Sequence, residues 1–238
     1  MSVTVINAQG NLEGALQQVA QKIFDVCRAR PSHEPLVLGL CGGRSVVGLL
    51  GAIEKESGNQ PRGVVERMQF FMVDERLVPI TDEQSNYGGL KRLLFDSLVE
   101  KGVISTDQLH PFSTDPSLKD FGCAKYLEEL RSYGGRFAVV VLGVGEDGHV
   151  AGLFPGHASL NDPSQAFLHF HDSPKPPPDR MTASPALVTG ADLSVVIALG
   201  EAKSAAWKAF NNDAVSIKEC PAKLALQASS CLVVSDLM

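Results

Sequence analysis

Residues 137–149 read FAVVVLGVGEDGH, an apolar run that passes directly into a glycine-rich turn. An unbroken apolar run, rather than one that alternates with polar residues, is typical of a parallel strand whose sheet is covered on both faces. The turn places an aspartate, Asp147, and a histidine, His149, just after the strand ends. Since ligands of open parallel sheets bind at the carboxyl ends of the strands, this segment indicates both the fold class and the position of the functional site.

Apolar runs of the same kind occur along the whole chain, and helical patterns separate them. The predicted strands are residues 3–6, 36–40, 70–73, 137–142, 193–199 and 231–234. The predicted helices are residues 12–28, with Asn11 as the cap, 44–56, 85–100, 119–133, 201–210 and 221–228. Strands separated by helices imply βαβ units with right-handed crossovers. We therefore expect a three-layer α/β/α fold with a mostly parallel, modified Rossmann-like sheet, forming one catalytic domain over residues 1–238.

Two segments carry more detailed predictions. The helix at residues 85–100 is expected to turn one apolar face inward and to stop near Gly102. The inward residues of that face are Leu90, Leu93, Leu94 and Leu98. Prolines dominate residues 173–178, which excludes regular structure there. We expect this segment to be a surface loop between the last two βα units.

The composition excludes several classes of function. The net charge of −6 argues against a general nucleic-acid binder, which usually carries a basic patch. No apolar run approaches the roughly 18 residues of a membrane span, so no membrane partner is expected. The five cysteines are an odd number and form no C-x-x-C motif, which favours reduced thiols in a cytoplasmic protein. Residues 1–10 also lack the pattern of a signal peptide.

A pair of glycines follows the predicted strand at residues 36–40. Gly42 and Gly43 allow a ligand to approach the backbone closely, and N–H groups at the start of the next helix favour an anion. Arg44 and Ser45 add a cation and a hydroxyl. The alternative is an ordinary tight turn between strand and helix. The spacing is not that of a Walker A loop.

Three charged residues, Asp74, Glu75 and Arg76, follow the predicted strand at residues 70–73. At this position Arg76 can serve as a fixed cation beside an oxyanion or phosphate, oriented by a carboxylate. The alternative is a solvated turn with a surface ion pair.

The turn at residues 143–149 contains a literal G-x-G-x-x-G, but Pro155 and Gly156 interrupt the chain where a dinucleotide-binding fold requires a helix. The chemistry of this turn therefore rests on His149, which can take a proton from water near neutral pH, with Asp147 beside it. The alternative is a histidine satisfied by local backbone bonds. The chain has no G-x-S-x-G motif, so a serine hydrolase is not expected.

The proline-rich segment also carries two cations. Prolines stiffen the chain around Lys175 and Arg180 and so hold both at low entropic cost. The alternative is an exposed linker with incidental charges. His169 and His171 are placed to share one face of a strand, but no third group of ligands accompanies them, and we predict no metal site.

Taken together, these turns resemble the 6-phosphogluconolactonase family, within the larger glucosamine-6-phosphate isomerase-like group. The matching stretches are GGR at 42–44, VDERLVP at 73–79, SNY at 85–87, LGVGEDGHVA at 142–151, LFPG at 153–156, PKP at 174–176 and RMT at 180–182. The first loop departs from the family's frequent Gly-Gly-Ser/Arg-Thr-Pro, because Ser45-Val46 follows Arg44 here.

The resemblance implies hydrolysis of 6-phospho-D-glucono-1,5-lactone to 6-phosphogluconate in the oxidative pentose phosphate pathway, without a metal or organic cofactor. His149 is then the general base, Arg76 stabilises developing negative charge, and Asp147 orients His149 or a substrate hydroxyl. The residues expected to bind the sugar phosphate are Gly42, Gly43, Arg44, Ser45, Asp74, Lys175 and Arg180.

Two other functions remain open from the sequence. One is a sugar-phosphate isomerase or deaminase of the same fold, although LFPG at residues 153–156 replaces the Asn-Glu-Pro typical of those enzymes. The other is a non-catalytic sensor of sugar phosphates, which would bind ligand without turnover.

Overall fold

The computed structural model describes residues 2–238, apart from the side chains of Ser2, Arg44 and Arg62. The strands are β1 (Ser2–Asn7), β2 (Leu36–Leu40), β3 (Met68–Met72), β4 (Asp74–Arg76), β5 (Leu109–His110), β6 (Val139–Gly143), β7 (Phe167–Phe170), β8 (Arg180–Ala183), β9 (Leu193–Ala198) and β10 (Ser230–Ser235). The α-helices are α1 (Leu12–Ala29), α2 (Arg44–Ser57), α3 (Arg62–Glu66), α4 (Asn86–Leu90), α5 (Asp96–Glu100), α6 (Cys123–Ser132), α7 (Pro185–Thr189) and α8 (Ser204–Phe210). Short 3₁₀ turns precede α8 at Glu201–Lys203 and β10 at Pro221–Gln227.

The main sheet has seven strands in the order β1-β10-β9-β6-β2-β3-β5, and all its neighbouring pairs are parallel. Every residue of β2 and of β9 is buried. Because successive side chains of a strand point to opposite faces, such continuous burial requires cover on both faces of the sheet. The predicted α/β fold with a mostly parallel sheet flanked by helices is confirmed.

The ends of α1 illustrate how the sequence sets local structure. Asn11 precedes the helix, and its side-chain oxygen accepts a hydrogen bond from the N–H of Gly14 at 2.9 Å. Such a side-chain cap satisfies one of the donors left free in the first turn. The periodicity predicts one apolar face of Leu12, Leu16, Val19 and Ile23. The last three are buried, whereas Leu12, in the first turn, is 46% exposed.

A second, three-stranded sheet in the order β4-β8-β7 was not predicted. Its pairs are antiparallel, and Asp74 and Arg76, expected in a turn, instead form strand β4 opposite β8. The proline-rich segment at residues 173–178 joins β7 to β8 within this sheet. Its predicted position between two βα units is therefore wrong, because the strands it connects run antiparallel.

The predicted helix at residues 85–100 is also corrected. α4 and α5 are joined by a π-helical segment, Lys91–Phe95. A π turn takes in more residues than an α turn and so changes the facing of side chains along the helix. Leu94 is buried, but Leu93 is 62% exposed rather than inward.

Helix α6 begins at Cys123, later than the predicted residue 119. The reason lies in the two residues before it, since Phe121 and Gly122 both have positive φ angles, which an α-helix cannot contain. Among the helices of residues 2–238, none combines the length and the apolar character that crossing a bilayer demands.

Candidate active site

Three strand ends of the main sheet meet at one cavity. The turns after β2, β3 and β6 all contribute to its wall, as the position of ligands in parallel sheets predicts. The cavity has a volume of about 340 Å³. Its polar lining includes the backbone of Gly42 and Gly43 and the side chains of Asp74, Arg76, Gln84, Asn86 and His149.

The turn after β6 fixes the orientation of His149. Nδ1 of His149 donates a hydrogen bond to Oδ1 of Asp147 at 2.5 Å, and the N–H of Gly145 bonds the carbonyl of His149 at 2.8 Å. A Cβ on Gly145 would lie 2.0 Å from Nδ1, so the ring can pack here only against glycine. Since a carboxylate can only accept, Nδ1 carries the proton and Nε2 is the basic nitrogen of the neutral ring.

A second cavity, of about 310 Å³, adjoins the first and shares the walls formed by Gly42, Gly43, Gly143 and His149. We call it the cationic cavity, because two lysines, Lys175 and Lys203, line it together with Ser45 and one acidic residue, Glu146. Exposed N–H groups and two ammonium groups in one cavity suit a phosphate. His149 therefore separates a cationic cavity from the one that contains Arg76.

Lys175 links the cationic cavity to the histidine. Its Nζ lies 3.2 Å from Oδ2 of Asp147, whose other oxygen accepts from His149. Partial burial raises the pKa of the Asp147 carboxyl, but the hydrogen bonds and charges of His149 and Lys175 outweigh it and hold that pKa below its usual range. Asp147 is therefore ionised beside His149.

Arg76 and Asp74 also line the first cavity. Arg76 donates from Nη1 to the carbonyl of Gln84 at 2.7 Å. Asn86 donates to Oδ2 of Asp74 at 2.9 Å, whereas Oδ1 of Asp74 is buried without a partner. Burial raises the pKa of Asp74, and the charges of Arg76 and Arg180 oppose that shift. The predicted contact between Asp74 and substrate stays a prediction.

Arg180 lies beneath the proline-rich loop and lines neither cavity. It is only 4% exposed, and Nη2 donates to the carbonyl of Pro176 at 2.9 Å and to that of Lys175 at 3.3 Å. Burial and the charge of Arg76 lower its pKa to about 10. The contacts recorded for Arg180 thus hold the loop that carries Lys175, and its predicted direct contact with substrate stays a prediction.

The remaining predicted residues fall into two groups. Ser45 lines the cationic cavity at the start of α2, together with the backbone of Gly42 and Gly43. The side chain of Arg44 lies outside the described part of the structure, so its phosphate contact also stays a prediction. Gly42 has a packing role as well, since a Cβ there would lie 2.1 Å from Oδ1 of Asn86.

Lys203 was missed by the sequence analysis. It follows β9 and ends a short 3₁₀ turn before α8, the same type of position as the other site residues. The signal was present, because β9 was predicted as a buried parallel strand and polar residues just beyond such a strand face the ligand edge. Asn86 was quoted only as part of the SNY segment, without a role.

In the part of the chain that the structure describes, no three His, Cys, Asp or Glu residues are grouped so as to hold a metal ion. The rings of His169, in β7, and His171, just after β7, have centroids 5.9 Å apart. Phe121 packs against both, at 5.3 and 5.0 Å from the two rings.

The chain is similar to known proteins over nearly its whole length. A family model described as glucosamine-6-phosphate isomerases/6-phosphogluconolactonase matches residues 10–234. The 6-phosphogluconolactonase of Borreliella burgdorferi is 34% identical over 200 residues, which cover 84% of this chain and 83% of the relative. The human 6-phosphogluconolactonase is 33% identical over 219 residues, which cover 89% of this chain and 81% of the relative. The crystal structure of 6-phosphogluconolactonase from Leishmania guyanensis aligns over 100% of this chain and 97% of its own with a TM-score of 0.76 and 21% identity, which shows the shared fold.

Proposed function

We propose that this chain, which belongs to the family of glucosamine-6-phosphate isomerases and 6-phosphogluconolactonases, hydrolyses 6-phospho-D-glucono-1,5-lactone to 6-phospho-D-gluconate. It is a hydrolase of carbohydrate metabolism, and the reaction belongs to the oxidative pentose phosphate pathway. One observation carries the assignment of roles: His149 stands between a cationic cavity and a cavity that contains Arg76 and Asp74. A lactone with a phosphate at one end matches this division.

The phosphate occupies the cationic cavity, where Lys175, Lys203, Ser45 and the backbone of Gly42 and Gly43 surround it. The lactone ring extends past His149 into the first cavity. Contacts with a phosphate that is remote from the reacting carbon hold that carbon beside the histidine, which lowers the entropic cost of the reaction. Asp74, which lines the first cavity, accepts a hydrogen bond from a sugar hydroxyl.

His149 acts as general base on water. Nε2 takes a proton from the water as its oxygen attacks C1, and the carbonyl oxygen becomes an oxyanion. The C1–O5 bond then breaks, and the imidazolium returns the proton to O5. The products are the C5 hydroxyl and a carboxylic acid, which loses its proton to solvent. The ionised Asp147 keeps Nδ1 protonated and stabilises the imidazolium that forms.

Arg76 stabilises the oxyanion. Arg76 lines the same cavity as His149, where a fixed cation needs no reorganisation as charge develops. Removing one such donor typically costs about 3–4 kcal/mol of transition-state stabilisation.

The whole of residues 1–238 forms the catalytic unit in this proposal, and its compartment is the cytoplasm. The five cysteines are all free and buried, which supports a reducing compartment. The net charge of −6 supports a partner that is a small molecule rather than nucleic acid.

The deciding experiment is a lactone hydrolysis assay with freshly generated substrate, corrected for spontaneous hydrolysis. The wild-type enzyme should release acid faster than the blank, and His149→Asn should lose most of that rate, about 100-fold or more, while it still binds 6-phosphogluconate. Ammonia release from glucosamine 6-phosphate would instead assign a deaminase. Ligand-induced thermal stabilisation without any turnover would assign a sensor.

A further inference from the structure

Glu75 is the most deeply buried carboxylate of the described residues, with 1% of its surface exposed. It stands in β4 between Asp74 and Arg76, yet it lines neither cavity. A charged group so far from water needs a structural reason, because burying an unpaired charge is costly.

Both oxygens of Glu75 are fully engaged. Oε1 accepts from the backbone N–H of Arg76 at 2.7 Å and from that of Asn86 at 2.7 Å. Oε2 accepts from the N–H of Tyr87 at 2.8 Å and from the hydroxyl of Ser85 at 3.1 Å. Three of these partners are N–H groups that can only donate, so the ionised carboxylate is the form that fits. Burial raises the pKa of Glu75, and its N–H donors oppose that shift.

The partners of Glu75 belong to the segment that completes the cavity wall. Asn86, held through its N–H, donates its side-chain amide to the carbonyl and to Oδ2 of Asp74. Gln84, two residues earlier, supplies the carbonyl that fixes the guanidinium of Arg76. Asn86 also packs directly against Gly42. Strand β4, the start of α4 and the glycine turn therefore meet around one carboxylate.

We propose that Glu75 is a positioning residue, whose carboxylate clamps β4 to the first turn of α4 and so sets the places of the Arg76 guanidinium and the Asp74 carboxylate. This inference rests on the proposed role of Arg76 in the lactonase reaction. Glu75 itself touches neither substrate nor reacting atoms. Its four hydrogen-bond donors are Arg76, Ser85, Asn86 and Tyr87, and among the described residues neither lysine of the cationic cavity contacts it.

The test is Glu75→Gln, which keeps the shape of the side chain but turns an NH₂ group toward N–H donors. We expect kcat for the phosphorylated lactone to fall by about tenfold to a hundredfold, the cost of misplacing a catalytic group by about 1 Å. Inhibition by inorganic phosphate should stay within twofold of wild type, because the two lysines of the cationic cavity, Lys175 and Lys203, keep their places. A general loss of structure would instead lower kcat and weaken phosphate inhibition together.

Glu56→Gln is the matched control. Glu56 is also buried, at 7% exposed, and accepts from three side-chain amides, but it lies in the last turn of α2. That turn is about 18 Å along the helix from the glycine turn at the rise of an α-helix. The Glu56→Gln variant should therefore leave kcat unchanged. If Glu75→Gln does not fold, Ser85→Ala removes one of the four donors and should lower kcat by a smaller factor, again without changing phosphate inhibition.

A double-mutant cycle tests whether Glu75 acts through Arg76. If it does, Glu75→Gln should slow an Arg76→Lys enzyme much less than it slows wild type. Independent, multiplying effects would overturn the proposal, as would a folded Glu75→Gln enzyme with normal kcat. Normal kcat in Arg76→Lys would contradict the proposed role of Arg76 itself, whereas a slow Arg76→Lys beside a normal Glu75→Gln would contradict the positioning role alone.

Discussion

Oδ1 of Asp147 accepts a hydrogen bond from Nδ1 of His149, two residues later in the same turn, at 2.5 Å. The second oxygen of Asp147 pairs with Lys175 at 3.2 Å. One carboxylate thus contacts both the proposed general base and a proposed phosphate ligand. This relationship connects the two cavities chemically as well as spatially.

Asp147→Asn should lower kcat by at least about tenfold with little change in the fold, because the neutral amide can present its NH₂ to Nδ1 and no longer stabilises an imidazolium. Steady-state kinetics on the phosphorylated lactone measure the change. In an enzyme that already carries His149→Asn, the Asp147→Asn substitution should lower kcat almost no further, since the two residues act as a unit. A full additional loss in the double variant would show that Asp147 acts apart from His149.

The same carboxylate makes a pH prediction for stability. The pKa of Asp147 is held below its usual range in the folded chain, so its ionised form favours folding above the unfolded-state pKa, and this contribution is lost as the pH falls below about 4. The difference in unfolding free energy between wild type and Asp147→Asn should shrink as the pH falls below about 4. Urea denaturation across that range measures it, and a difference that grows in acid would contradict the assignment.

Gly145→Ala should abolish most activity without unfolding the protein. The added methyl group would meet Nδ1 of His149 at 2.0 Å and Oδ1 of Asp147 at 2.7 Å, so the ring must move. A displacement of about 1 Å at a catalytic group can cost about 100-fold in rate. The control is Gly51→Ala, because nothing lies within 4 Å of a Cβ at that position in α2. The control should keep normal kinetics and gain about 0.5–1 kcal/mol of stability from helix propensity.

Lys175 and Lys203 should together bind the phosphate of the substrate. Each charge-assisted hydrogen bond is worth about 1.5–3 kcal/mol, so removing either lysine should narrow the preference for phosphorylated over unphosphorylated gluconolactone. The measurement compares kcat/KM for both lactones. Lys208→Ala, on the exposed side of α8, is the control and should leave the preference intact. If Lys203→Ala slows both lactones equally, Lys203 does not bind the phosphate.

The π-helical segment makes a prediction about stability. Leu94→Ala, at a buried site, should cost about 2–5 kcal/mol of unfolding free energy. Leu93→Ala, at a site 62% exposed, should change it by no more than about 0.5 kcal/mol. Denaturant titration of both variants compares them. Equal losses would mean that the helix is α-helical throughout, with Leu93 inward.

Much of this fold could be predicted because parallel sheets leave a plain signal. The apolar run at β2 and its glycine turn, and the run at β6 with His149 beyond it, follow directly from burial on both faces. Their common cavity follows from the shared direction of the strands. The position of His149 beside Asp147 follows from their separation of only two residues.

The parts that could not be predicted depend on contacts between distant residues. Strand β4 consists of Asp74–Arg76, and three charged residues give no strand signal, because β8 rather than their own sequence makes them extended. The burial of Arg180 depends on a loop that folds back over it. The contact between Lys175 and Asp147 joins residues that no local pattern relates.

The five cysteine thiols are distributed through the fold, and each is buried and free. Burial raises the pKa of Cys27, Cys41 and Cys123 to about 12 and that of Cys231 to about 11. Alkylating reagents react with thiolates, so none of these thiols can be labelled until its surroundings open. The rate of labelling at each cysteine therefore reports the opening of a different region of the fold, and no additional cysteine has to be introduced. Cys41 lies in the wall of the first cavity beside Gly42. Its labelling should therefore also respond to a bound sugar phosphate, which would cover it as well as stabilise the fold.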